Sequence, residues 1–281
     1  MNAIAGSRRS LGAFVVLELM LSIPFWGVGA LATMGVIPDQ VMLRASWSLT
    51  PMIAASILVY RAAGRPGLRA LLARVLDASR IRSRTWYIAV IGLGPVIVLT
   101  QYALAVVSGS QVPAPQLSFF VLVAYAGFFL LTPAEELGWT AYVLDTAQER
   151  WSALAAGLFT GAVWAVAHAP VWLLAGQSLE WCAWQMLYVV GLRLLMTWVY
   201  NNTGWSLFAM DLLHPGFFVW WYLWPVDGTG LSVPSFYDPR SLAVTAAILV
   251  LVVTYGRGAR TLARNRFARS RRPVRGDDAA A

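Results

Sequence analysis

Eight long apolar stretches, set apart by short polar loops, constrain this 281-residue chain more than any other feature. A run of roughly 17–25 apolar residues crosses a bilayer as a helix, because an isolated segment in lipid must satisfy its own backbone. The stretches fall at about 11–36, 43–60, 86–107, 118–147, 152–174, 181–200, 205–224 and 239–256. The expected fold is therefore all-α, a polytopic membrane helix bundle with about eight transmembrane helices. Charged residues make up 12% of the chain, half the share of about 25% usual in a soluble domain. No polar stretch is long enough to fold separately. One membrane-embedded domain is expected over 1–256, followed by an Arg-rich cytoplasmic tail, without fixed structure, over 257–281. The one cysteine, Cys182, excludes an internal disulfide and the multi-cysteine zinc patterns.

Charge sets the orientation. All 21 basic residues are arginine, and with the N-terminus inside, 18 of them fall on the inner side of the bilayer. Arg44 and Arg240 lie outside, and Arg193 sits within the sixth span. That asymmetry follows the positive-inside rule, so the chain is expected in the cell membrane, multi-pass, with N- and C-termini cytoplasmic. The net charge of +8 then reflects orientation, and no nucleic-acid partner is expected. Anionic lipids are expected partners at the Arg-rich loop between spans two and three and at the tail. A cleaved signal peptide is the alternative for the first span, but the apolar run to Ile37 is long for one. Within the loop, Leu68, Leu71, Leu72, Val75 and Leu76 share one helical face behind Pro66. The segment reads first as a topology-setting loop, with an interfacial helix as the alternative.

Against this background two neighbouring acids stand out. Glu135 and Glu136 are the only charges between Ser118 and Leu144. A charge at the bilayer centre costs about 2.5–3.5 kcal/mol on insertion scales, so such groups mark function or pairing. Both histidines, His168 and His214, also lie inside apolar spans. Counting about 1.5 Å per residue from the inner ends, Glu135, His168 and His214 sit about 22, 24 and 20 Å deep. Spans four, five and seven can thus present them to one pocket, with Pro133 kinking span four beside the acids. Glu136 and Thr140, at i and i+4, share a face, while Glu135 points about 100° away. Asp211 and His214, at i and i+3, are spaced for the carboxylate to orient the imidazole. Arg193 is a buried guanidinium in need of an acid partner. Glu18 stands alone in span one and reads as a packing or snorkelling residue.

These residues carry a resemblance. Glu135-Glu136-Leu137-Gly138-Trp139-Thr140-Ala141-Tyr142 resembles the first motif of the CPBP (CAAX protease and bacteriocin-processing, or ABI) family of intramembrane metalloproteases. Trp164-Ala165-Val166-Ala167-His168 resembles the second, with Trp164 where phenylalanine is common. Tyr200-Asn201-Asn202-Thr203-Gly204-Trp205-Ser206, running on to Leu213-His214, resembles the third. The resemblance covers roughly Leu117–Phe218. It departs at two positions: Thr140 replaces the arginine that holds the second glutamate, with Arg193 pairing to Glu136 as its expected substitute, and Phe218 replaces an asparagine that helps to stabilise an oxyanion.

The resemblance implies an intramembrane endopeptidase acting on a membrane-associated peptide or protein near the cytoplasmic leaflet. Peptide hydrolysis needs an activated water, oxyanion stabilisation and a proton for the leaving amine. Glu135, Glu136, His168 and His214 are the expected catalytic group, supported by Arg193, Asp211 and Thr140. Glu135 suits the general base. No cofactor is fixed by the sequence: zinc accepts His and Glu ligands, and a metal-free site is equally drawable. Three other readings stand beside this one. The two departures motivate a catalytically impaired homologue that binds or escorts membrane partners. A purely structural role would have these groups only bond helices together. A transporter is the third, weakened by the absence of an internal repeat.

Overall fold

The computed structural model describes residues 10–37, 46–116, 119–224, 234 and 236–255. Arg8, Arg9, Arg44 and the Arg-rich tail lie outside the described residues. Among those described, the regular structure is helical throughout. We number the helices α1 (Leu11–Thr33), α2 (Thr50–Leu72), α3 (Trp86–Val107), α4 (Phe119–Gln148), α5 (Ala153–Leu174), α6 (Leu179–Asn202), α7 (Leu207–Leu213) and α8 (Pro239–Tyr255). Each apolar stretch identified in the sequence is mainly helical over its described residues, and α1, α3, α4, α5 and α6 are long and apolar enough to cross a membrane.

The other three depart from a simple rod. α2 is displaced toward the polar loop and breaks at Gly64, two residues before Pro66. The segment read first as a loop is thus helical to Leu72 and continues as a 3₁₀ turn to Leu76. The seventh span is the short α7 followed by 3₁₀ turns at His214–Phe217 and Val219–Leu223. Pro215 explains the change, since it has no N–H for a further α-helical bond. α8 is 17 residues long.

α6 is the axis of the bundle. It is the least apolar of the five long helices and the most buried, with Gly191–Tyr200 sequestered without interruption. A helix surrounded by protein need not present an all-apolar face to lipid, which is how α6 accommodates Arg193. α1 has the opposite position, and most of it faces outward. Serines start four helices: Ser10, Ser152, Ser178 and Ser206 each accept a backbone N–H of the first turn.

α4 carries the acids and is interrupted twice. The chain turns at Thr132, Pro133 opens the next helical turn, and Trp139–Leu144 widens into a π-helix. Such wide turns recur at functional sites. Two glycines set the spacing around this segment. A Cβ at Gly138 would lie 2.4–2.6 Å from atoms of Pro51, and one at Gly94 would lie 2.0 Å from the Gly216 carbonyl oxygen. The first contact seats α4 against α2, and the second seats α3 against the turn that carries His214.

Candidate active site

Glu136 is the centre of a saturated cluster. Its carboxylate, fully buried, receives two bonds from Arg193 of α6: Nη1 to Oε2 at 2.9 Å and Nη2 to Oε1 at 3.2 Å. The Thr140 hydroxyl donates to Oε2, and Arg193 Nη1 also reaches Thr140 Oγ1 at 3.3 Å. His214 Nδ1 meets Oε1 at 2.9 Å. A forked guanidinium matches a carboxylate geometrically, so the arginine missing at position 140 is supplied from another helix. The expected Arg193–Glu136 pairing is present.

Glu135 faces elsewhere, as the helical offset requires. It is half-buried, and its Oε2 accepts the Trp164 indole N–H at 3.1 Å. Trp164 joins the whole site. Its ring lies 4.9 Å from that of His168 and 5.4 Å from that of His214, edge-on in both cases. The Arg193 guanidinium stacks 4.1 Å above it. The Trp164 carbonyl meets His168 Nδ1 at 2.8 Å. A carbonyl only accepts, so Nδ1 carries the hydrogen and the lone pair of a neutral ring lies on Nε2. Trp47, from the turn before α2, stands edge-on to His168 at 4.7 Å.

The motif residues of α4, α5 and α7 thus meet, but one expected contact is absent. Asp211 does not orient His214: both of its oxygens are buried without a hydrogen-bond partner, and Glu136 holds the imidazole instead. The α-helix ends at Leu213, and the tighter turn from His214 breaks the i, i+3 register on which that expectation rested. Phe218 packs against Phe128 at 4.6 Å and stands edge-on to His214 at 5.9 Å. It forms an apolar wall where a hydrogen-bond donor would otherwise be. Glu18 is no snorkelling residue, since it is fully buried.

The end of the bundle beside the Arg-rich loop holds a second polar cluster with no counterpart in the sequence reading. Arg74 bonds Asp145, the Tyr200 hydroxyl and the Trp205 carbonyl. Asp77 accepts from Ser206 Oγ at 3.0 Å and from the Phe208 amide at 3.1 Å, capping α7, and Arg80 reaches Asp77 at 3.2 Å. Arg74 and Arg80 therefore tie the basic loop to the start of the helix that leads to His214. Only an offset in the polar pattern of the loop, Arg74-x-x-Asp77-x-x-Arg80, could have signalled this.

A metal fits the donor set poorly. Among the described residues no three His, Cys, Asp or Glu side chains are gathered to hold one ion. Glu136 is committed to Arg193, Thr140 and His214, which leaves Glu135 Oε1 and the two imidazole Nε2 atoms as the donors without a hydrogen-bond partner. The chemistry below is therefore derived for water and side chains alone.

Residues 115–220 match the family described as type II CAAX prenyl endopeptidase Rce1-like. Over this range the chain is similar to the CAAX-protease (CPBP) family. The matched range contains all three motifs and both histidines. A CAAX prenyl protease 2 of Methanococcus maripaludis is 23% identical over 180 residues, which is 59% of this chain. The match takes in 66% of that relative's length, just under two thirds. Within the matched range, the geometry shows how a chain with Thr140 still neutralises its second glutamate.

Proposed function

We propose that this chain is an intramembrane endopeptidase of the CAAX-protease type, in which Glu135 activates water and two histidines assist. The carrying observation is the division between the acids. Glu136 is fully committed to Arg193, Thr140 and His214, while Glu135 has one donor, the indole of Trp164 whose ring stands against His168. Glu135 accepts a proton from water as the oxygen attacks the peptide carbonyl. His168 Nε2 accepts the second hydrogen of that water and orients it. His214, held through Nδ1 by Glu136, presents Nε2 to the developing oxyanion and donates there when protonated. Glu135 then returns its proton to the leaving amine.

The substrate in this reading is a membrane-associated peptide or protein, and the termini are cytoplasmic, as the arginine asymmetry supports. Anionic lipids meet the exposed Arg61, Arg65 and Arg69. The test is cleavage by the protein reconstituted in bilayers, with a farnesylated peptide ending in a CAAX sequence as the first probe. Terminal proteomics of cells with and without the active protein extends the search. His168→Ala should abolish cleavage while leaving the melting curve in place, and full activity in that variant would refute the role given to His168.

One observation favours a second reading, a catalytically impaired homologue that binds or escorts membrane partners: Phe218 fills the position of the oxyanion asparagine against His214. In that case Phe218→Asn creates cleavage. A wild type that already cuts excludes it.

A further inference from the structure

The charge of α1 belongs to the site. Glu18, fully buried, accepts contacts at Oε1 from Ser22 Oγ at 3.0 Å and Thr50 Oγ1 at 3.2 Å, and the two hydroxyls lie 2.9 Å apart. Thr50 Oγ1 also meets the Trp47 carbonyl at 2.7 Å, and the Trp47 ring stands against His168. Glu18 Oε2 is buried with no hydrogen-bond partner. Among the described residues no arginine pairs with Glu18 or Glu135, whereas Glu136 has Arg193.

Counting protons decides what this cluster holds. Four oxygen–oxygen contacts have only two hydroxyl hydrogens between them. The Trp47 carbonyl accepts only, and its contact is the shortest, so the Thr50 hydrogen goes there. Ser22 has one hydrogen for either Glu18 or Thr50. Two contacts then lack a hydrogen, and a hydrogen on the carboxyl supplies one of them. Thr50 precedes Pro51, which packs against Gly138 one turn beyond Glu135, so an ionised Glu18 would add a second negative charge at the same helix junction. Two unpaired carboxylates in an apolar interior cannot both stay ionised cheaply.

We propose that Glu18 is a positioning residue of the site, which keeps one proton within the Ser22–Thr50 cluster so that, of Glu18 and Glu135, only Glu135 carries a negative charge. It acts through Glu135, and so rests on the reading of Glu135 as base. While Glu18 is neutral, Glu135 is free to take a proton from water. When Glu18 loses its proton, the added charge favours proton retention on Glu135, and the base is withdrawn. The groups facing Glu18 are Ser22 on its own helix, Thr50 and Trp47 from the α2 side, and Glu135 from α4, with His168 of α5 behind Trp47.

Infrared spectroscopy of the protein in bilayers tests this without any substrate. The wild type should show a carboxylic C=O band that disappears in Glu18→Gln and shifts in Glu135→Gln. A spectrum unchanged by Glu18→Gln overturns the proposal even if the protein proves not to be a protease. If the farnesylated peptide is cut, the pH–rate profile gives a second reading. Wild-type activity should fall at alkaline pH and Glu18→Gln should keep its rate there, with KM unchanged within twofold. Superimposable profiles overturn the proposal while leaving the protease reading intact. Equal melting temperatures for the two proteins establish that Glu18→Gln is folded.

Discussion

Glu135 and Glu136 are neighbours in the chain and opposites in their surroundings. Glu136 has no exposed surface and accepts from a guanidinium, a hydroxyl and an imidazole. Glu135 keeps some exposure and one indole donor. The difference teaches that burial alone does not mark a catalytic acid. A charge whose partners all converge on it is a clamp, and here it clamps α4, α6 and the turn after α7 together. A charge left with one partner and one free oxygen can still exchange a proton.

The comparison can be broken most forcefully at Glu136. Glu136→Ala strands Arg193 in an apolar interior, and loss of one partner of a buried pair costs about 3–5 kcal/mol. Thermal unfolding in detergent should show a large drop or no folded protein, and a melting temperature near that of the wild type would deny the clamp. Somewhat smaller is the coupling within the pair. Arg193→Ala should destabilise far less when Glu136→Gln is already present, with a coupling of about 1–3 kcal/mol in a double-mutant cycle. Simple addition of the two losses would mean that the pair does not act as one.

On the other side of the comparison, Trp164→Phe keeps a ring between the histidines and removes the donor to Glu135. Cleavage should fall by about tenfold, corresponding to about 1.4 kcal/mol, with melting nearly unchanged. A wild-type rate would show that the indole does not hold the base. Thr140→Val should matter least, costing about 1 kcal/mol, since Arg193 and His214 still cover the carboxylate. A loss as large as that of Glu136→Ala would make Thr140, and not Arg193, the true replacement for the missing arginine.

Much of the bundle was legible because lipid imposes length and apolarity, and both are visible residue by residue. The gathering of Glu135, His168 and His214 followed from helical rise, and the Arg193–Glu136 pair from the arginine that Thr140 replaces in the motif. What was not legible depended on irregular backbone or on contacts between distant helices. The turn at His214 changes register where Pro215 follows, so the spacing of Asp211 and His214 misled. Glu18 looked solitary because Ser22 and Thr50 are ordinary residues of two helices, and only packing brings them together. Trp164 stood in a motif as a ring, with nothing in its spacing to say that its N–H would find Glu135. Arg74 looked like one of many loop arginines until Asp145 and Tyr200 were seen around it.

The account turns on which of two adjacent carboxylates moves a proton. The direct measurement is cleavage of the farnesylated CAAX peptide by reconstituted Glu135→Gln, with its melting curve recorded on the same preparation. A protein that melts like the wild type and cuts at least a hundredfold more slowly, the loss typical of a missing general base, is the expected result. Cleavage at the wild-type rate would contradict it, and the task of activating water would have to pass to another group.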